Sequence, residues 1–338
     1  MLRWAVAFAL YWGVAGCGDR GAAERTPLTV YTAAEADLLT GYETAFEQRH
    51  PDLDIVWVRD STGIITARLL AERAAPKADA VFALSAVSLM VLKNEGLLAP
   101  YAPRGLERLD PRFRDADTTP YWVGQAVWSA AICVNVREAA RLKLPMPRTW
   151  ADLAQPVYRG ALSMPNPASS GTGLLAVTAW LQPDEAAGWA YMDALHRNMK
   201  AYLHSGSKPC QDAARGETPI GISFDYRAAD LKNKGAPIEV VVPVEGVGWD
   251  IEGAGLIAGT PREAAARRLL DWAISDEALD LFAKEFAVVA VPARSKTIAG
   301  LPADLAARLE SMNLAWVATH RERILAEWSR RYEAADAQ

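Results

Sequence analysis

Residues 28–63 read LTVYTAAEADLLTGYETAFEQRHPDLDIVWVRDSTG. Leu28–Tyr31 is a short run rich in β-branched and aromatic residues and reads as a strand. Ala33 to His50 then places Leu38, Leu39, Tyr42, Ala45 and Phe46 on one face at helical spacing. His50-Pro51 ends that helix, because the residue before a proline is pushed out of helical geometry. Asp54–Val58 is strand-like again. Strand, helix and strand in this order form a crossover, which pairs the two strands in parallel and lays the helix on the sheet. The chain is therefore expected to be an α/β protein with mostly parallel sheet.

Farther along, Gly63–Ala75 is predicted as helix and Ala80–Phe82 as strand, with a following helix that ends near Gly96. A proline-rich loop from Pro100 to Tyr121 separates these units from a second series that begins near Val127. There Ser129–Asn135, Ala161–Met164, Ile220–Phe224, Ile238–Val242 and Gly255–Ile257 read as strands. Gly173–Gln182, Asp184–Met199 and Tyr226–Lys234 read as helices, and Thr149–Leu153 as a capped helical turn. Helices are predicted over 261–275, 276–286, 302–312 and 313–332.

With 338 residues, 51% hydrophobic and 23% charged, the chain has the bulk for about two domains. A net charge of −5 removes the basic surface that non-specific nucleic-acid binding requires. The start, MLRWAVAFALYWGVAGC, has one cation, Arg3, and an apolar run too short to span a bilayer permanently. Val14-Ala-Gly-Cys17 has the form of a bacterial lipobox. Cys17 is thus expected to be lipidated after removal of residues 1–16, with 17–27 as a polar tether and the remainder outside the cytoplasm. The alternative is an ordinary signal peptide with an incidental cysteine. In that oxidising compartment Cys133 and Cys210 form either a disulfide or two buried thiols; a bridge would close a loop worth roughly 4–5 kcal/mol.

In open α/β sheets ligands bind beyond the carboxyl ends of strands, where helices begin. Four such junctions are rich in hydroxyls and glycine: Thr32-Ala-Ala-Glu35, Asp60-Ser-Thr-Gly63, Pro165-Asn-Pro-Ala-Ser-Ser-Gly-Thr-Gly173 and Ser205-Gly-Ser-Lys208. Taken singly, such residues cap helices. Ser169, Ser170, Gly171, Thr172 and Gly173 together form a candidate oxyanion cradle, lacking the lysine of a nucleotide-phosphate loop. No dinucleotide fingerprint follows the first strand, and no Gly-x-Ser-x-Gly elbow is present. Ser205-Gly-Ser-Lys208 has the spacing of an acylation motif, but Pro209 argues for a loop there. The four histidines show no metal-ligand spacing.

Val-Tyr-Thr-Ala at 30–33, the 165–173 segment, Ser-Gly-Ser-Lys-Pro-Cys at 205–210 and Gly-Ile-Ser-Phe-Asp-Tyr-Arg at 221–227 together resemble one family. They are similar to the 2-aminoethylphosphonate-binding proteins of ABC importers, within the iron(III)-type periplasmic group, and the resemblance runs from Leu28 to the C-terminal helix. It implies a two-lobed periplasmic-binding-protein fold, each lobe a mostly parallel sheet flanked by helices, with strands crossing at a hinge. It also implies no enzymatic activity, no cofactor or metal, a monomer, and a permease with its ATPase as partners. Residues 28–127 and about 250–295 are expected to form one lobe, and 128–249 with about 296–338 the other.

The sequence departs from the iron-binding branch, which presents a histidine after the first strand and paired tyrosines later. Here Thr-Ala-Ala-Glu35 and Phe224-Asp-Tyr226 stand at those places. Thr62, Gly63, Ser169–Gly173 and Ser207 are the candidates for a phosphonate, and Glu35, Asp225 and Tyr226 for an ammonium. Ser85, Trp128 and Trp249 are weaker candidates, and of Trp122, Trp128 and Trp249 no more than one is expected to touch ligand. Iron(III), another small anion or a polyamine is the alternative ligand. A serine hydrolase using the 165–173 or 205–208 loops is the remote one.

Overall fold

The computed structural model describes residues 25–309 and 311–333; Cys17 and the leader lie outside them. The chain opens with β1 (Thr26–Thr32), α1 (Ala36–Arg49), β2 (Leu53–Arg59), α2 (Thr62–Ala71), β3 (Ala80–Ser85), α3 (Ala86–Asn94) and the short β4 (Leu98–Ala99). After the proline-rich loop come β5 (Val123–Asn135), α4 (Val136–Leu142), α5 (Trp150–Leu153), β6 (Leu162–Pro165), α6 (Gly171–Leu181), α7 (Glu185–His196) and β7 (Met199–Leu203). Then follow α8 (Lys208–Arg215), β8 (Ile220–Phe224), α9 (Asp225–Asn233), β9 (Ile238–Val241) and β10 (Trp249–Ile257). The chain closes with α10 (Glu263–Ala273), α11 (Asp276–Phe282), β11 (Val288–Val289) and α12 (Leu314–Tyr332).

The sheet runs β2-β1-β3-β10-β5-β8-β6-β7 and divides into two lobes. Each lobe has a parallel block, β2-β1-β3 in one and β8-β6-β7 in the other. The strands between these blocks enter antiparallel, so each sheet is parallel on the outside and mixed toward the hinge. β5 carries the crossing: Gly124–Ser129 pair with β10 of the first lobe, and Ala130–Val134 with β8 of the second. All thirteen of its residues are buried. Such a strand admits a polar side chain only if it is bonded; Gln125 accepts a hydrogen bond from the backbone amide of Ala83 at 3.2 Å. Ala83 sits at φ 47° where two β3 residues oppose Ala254, a bulge that re-aims the end of β3 at Leu84–Ser85.

Aromatic rings fill the first lobe, with Tyr42 stacked on Phe282 at 4.9 Å and Phe82 on Trp272 at 5.9 Å. The series continues across the hinge, because Phe286 meets Tyr226 of α9 at 4.2 Å. Within the second lobe Cys133 and Cys210 are joined as a disulfide, their Cα atoms 5.4 Å apart. α12 lies on α7 and β7 through Tyr332–Asp193 and Trp328–Tyr202 contacts, and its first turns reach α3.

Three expectations change. Residues 302–312 do not form an α-helix; only a 3-10 turn at Leu305–Arg308 is present. The chain there is held extended, since Val247 donates to Arg308 O at 2.9 Å and Arg308 donates to Val242 O at 2.9 Å. β7, a partly exposed strand, was not expected, and β5 and β10 each begin six residues earlier than read. Lys208 opens α8 instead of lying in a loop, because Pro209 occupies the first helical turn, where a missing N–H costs nothing.

Candidate functional site

Between the lobes lies a cavity, and the junctions read from the sequence supply much of its wall. Ser61 precedes α2 and Ser170 precedes α6, yet neither side chain caps its helix. Both line the cavity, with Thr62 beside Ser61 and Thr172 beside Ser170. Their hydroxyls are therefore free of the bland capping role, and two helix N-termini face one space. Gly206 brings its loop hard against this wall: a Cβ there would lie 2.3 Å from Thr172 Oγ1.

The lobes are shut. Gly63 N–H donates to Ser169 O at 3.0 Å from the opposite lobe, and a Cβ on Gly63 would sit 2.1 Å from Ala168 O. His204 Nε2 is 3.0 Å from Asp60 Oδ1 at the rim. Arg227 of α9 reaches Glu35 at 3.0 Å and Asp37 at 2.8 Å across the gap.

Of the anion candidates, Thr62, Ser170 and Thr172 line the cavity as expected of wall residues. Gly171 lies at the lobe seam, where a Cβ would meet Thr62 Oγ1 at 2.9 Å. Four placements differ from the sequence reading. The Gly63 amide is occupied by Ser169 O, and the Ser169 hydroxyl is turned away, donating to His204 O at 2.7 Å. Gly173 packs against its own loop, with a Cβ position 2.5 Å from Pro165 O. Ser207 is buried at the start of α8, adjacent to the cavity wall but not among its lining residues.

Of the ammonium candidates, Glu35 and Tyr226 line the cavity. Asp225 does not. Its carboxylate turns to the crossing strand and accepts from Ser129 Oγ at 2.8 Å, and burial pushes it up to about 6. Tyr226 is buried against Phe224 and Phe286, and burial pushes its phenol well above the usual range. Ser85 bonds Asp250 and lines a second, mainly apolar cavity behind the Thr62–Ser170 seam, bordered by Leu174, Leu175, Leu314 and Val317. Trp128 lines the cleft cavity, whereas Trp249 lies in a separate groove beside Met312.

Sequence reasoning missed Arg59 and Glu252. Arg59 ends β2 and is held by a 3.0 Å bond from Nε to Ala34 O, leaving a guanidinium on the cavity wall. Glu252 sits inside β10, and its carboxyl also lines the cavity. Only the position of Arg59 at the end of a strand, one residue before the Asp60 junction, signalled it. This wall can hold a small oxyanion through a cation and several hydroxyls. It lacks a nucleophile–base pair: among the described residues, no serine of the two loops bonds a histidine or carboxylate side chain, and Lys208 pairs with Asp212. No group of three or more His, Cys, Asp or Glu gathers at metal-binding range among the described residues.

Two lobes closing over a polar interlobe cavity are the arrangement of a binding protein. The chain belongs to the bacterial extracellular solute-binding protein family, whose profile matches residues 75–316. An uncharacterised protein of Haemophilus influenzae is 31% identical over 277 residues, 81% of this chain and 79% of that one. A probable ABC transporter periplasmic-binding protein of Sinorhizobium fredii is 24% identical over 296 residues, 85% and 79% of the two chains. Among solved structures, the periplasmic binding protein AfuA of Actinobacillus pleuropneumoniae, with exogenous fructose-6-phosphate bound, superposes with a TM-score of 0.85 at 26% identity. That superposition covers 92% of this chain and 99% of AfuA.

Proposed function

We propose that this chain captures 2-aminoethylphosphonate, or a close organophosphonate, and delivers it to the permease and ATPase of an ABC importer while anchored through Cys17. The observation that carries this reading is the pairing of the Arg59 guanidinium with uncapped hydroxyls from both lobes in one closed cavity. A phosphonate needs a cation and many donors; Arg59, Ser61 and Thr62 offer them from one lobe, and closure adds Ser170 and Thr172 from the other. The sugar phosphate bound by AfuA is an anion of the same kind. The 165–173 and 205–210 segments, which resemble the aminophosphonate branch, supply Ser170, Thr172, Ser205 and Gly206 to the wall. Calorimetric titration of the purified protein tests this. Binding of 2-aminoethylphosphonate at micromolar affinity or better, with the compound recovered unchanged, is expected. Binding of fructose-6-phosphate with no response to 2-aminoethylphosphonate would overturn the ligand assignment.

A further inference from the structure

We infer that Glu252 is the residue that selects the ligand's cationic end, receiving an ammonium as an ion pair inside the closed cavity. The inference rests on the phosphonate reading above and assigns its opposite end. Glu252 lies in the middle of β10, paired with Ala126 of β5 and Ser85 of β3, so its backbone is fixed by two strands. The residue is 8% exposed, and Oε2 is buried without a hydrogen-bond partner. A buried, unpartnered carboxyl is costly to keep. Its charged neighbours are Asp250 and Glu35, both acidic. Burial and these neighbours hold the carboxyl above its ordinary range, and a ligand's ammonium would supply both the charge and the donor that its unpartnered oxygen lacks.

The other acidic groups of the region are already committed. Glu35 and Asp37 hold Arg227, and Asp225 holds Ser129. Asp250 bonds Ser85 and its own neighbour's amide. Glu252 is left as the cavity-lining carboxyl that keeps a buried, unpartnered oxygen. The Trp128 and Tyr226 rings line the same cavity and offer faces that favour a cation. An ammonium supplies a charge and up to three donors. An uncharged alkyl end supplies neither, so the carboxyl discriminates between them.

The test compares 2-aminoethylphosphonate with ethylphosphonate, which lacks the amine, on the wild-type protein and on Glu252→Gln and Glu252→Asp. Wild-type protein is expected to prefer the amine by about 30-fold or more, in line with a desolvated charged hydrogen bond. Glu252→Gln should reduce that preference to about threefold or less with ethylphosphonate affinity retained, and Glu252→Asp should fall between. If Glu252→Gln does not fold, Glu252→Asp decides alone: undiminished preference overturns the assignment. Preference retained in Glu252→Gln overturns the role of Glu252 while leaving the phosphonate reading intact. Failure of both phosphonates to bind the wild-type protein removes the two together.

Discussion

Gly63→Ala separates closure from ligand contact, because Gly63 donates its amide to the other lobe and presents no side chain to the cavity. The added methyl would lie 2.1 Å from Ala168 O and 2.9 Å from the Ser169 carbonyl, all backbone atoms that cannot rotate away. Relief requires the seam to part by roughly 1 Å, which breaks the Gly63–Ser169 hydrogen bond; with about 1 kcal/mol for the bond and 1–3 for overpacking, the closed state loses about 2–4 kcal/mol. The open state has no clash. There alanine is the better residue inside α2 by about 1 kcal/mol. Apparent affinity scales with the closed fraction, so it should fall about 30- to 1,000-fold for 2-aminoethylphosphonate. The unliganded melting temperature should hold or rise slightly. Calorimetry, melting curves and small-angle scattering with and without ligand read the three quantities. Affinity within threefold of wild type, or a melting temperature lowered in step with affinity, would refute the reasoning.

Thr172→Val keeps the shape of the wall residue and deletes its hydroxyl; binding should weaken by about 1–3 kcal/mol, read by calorimetry, and unchanged affinity would leave Thr172 a packing residue only. Cys133→Ser with Cys210→Ser should lower unfolding free energy by roughly 4–5 kcal/mol, since the bridge closes a separation of 77 residues; a melting temperature indifferent to reductant would contradict it. Asp225→Asn tests the buried carboxyl at about 6. Because folding raises this group above its ordinary value near 4, the native state binds the proton more tightly, and wild-type stability falls as pH rises from about 4 to 6 by up to ~3 kcal/mol. The urea midpoint of wild type minus that of Asp225→Asn should therefore decline over this window, and a flat difference would show that the carboxyl titrates normally.

Elements built on ordinary periodicity were legible in the sequence. α1, with Tyr42 and Phe46 buried on one face, and β8, buried at every position, stand within a few residues of where spacing put them. Beside β7 and residues 302–312, the strand boundaries that differ lie at the hinge. β10 was read only from Gly255, because Asp250, Glu252 and Gly253 look like loop residues; in the structure they are strand residues whose polar groups serve the site or its neighbours. β5 is shortened by Gly124 and Gln125 for the same reason: the glutamine's Oε1 accepts from the Ala83 amide, a bond no local pattern announces, while its Nε2 is buried without a partner. Local signals contradict the fold where function places polar groups inside it.

Arg227 makes the same point about the site itself. The Asp225-Tyr226-Arg227 segment is one of four that carry the family resemblance, and the chemistry of its first two residues suits an ammonium. In the structure the carboxylate anchors α9 to the crossing strand through Ser129, whereas the tyrosine lines the cavity and also joins the ring series that spans the hinge. The arginine, 8% exposed on its side chain, leaves its own lobe to bond Glu35 and Asp37 at the start of α1. An arginine so buried needs its partners, and it finds two of them only when the lobes meet. Closure of the lobes is therefore coupled to charge satisfaction at this clasp. Glu35 is held by the clasp while it lines the cavity, and Glu252 stands two strands away along β1-β3-β10.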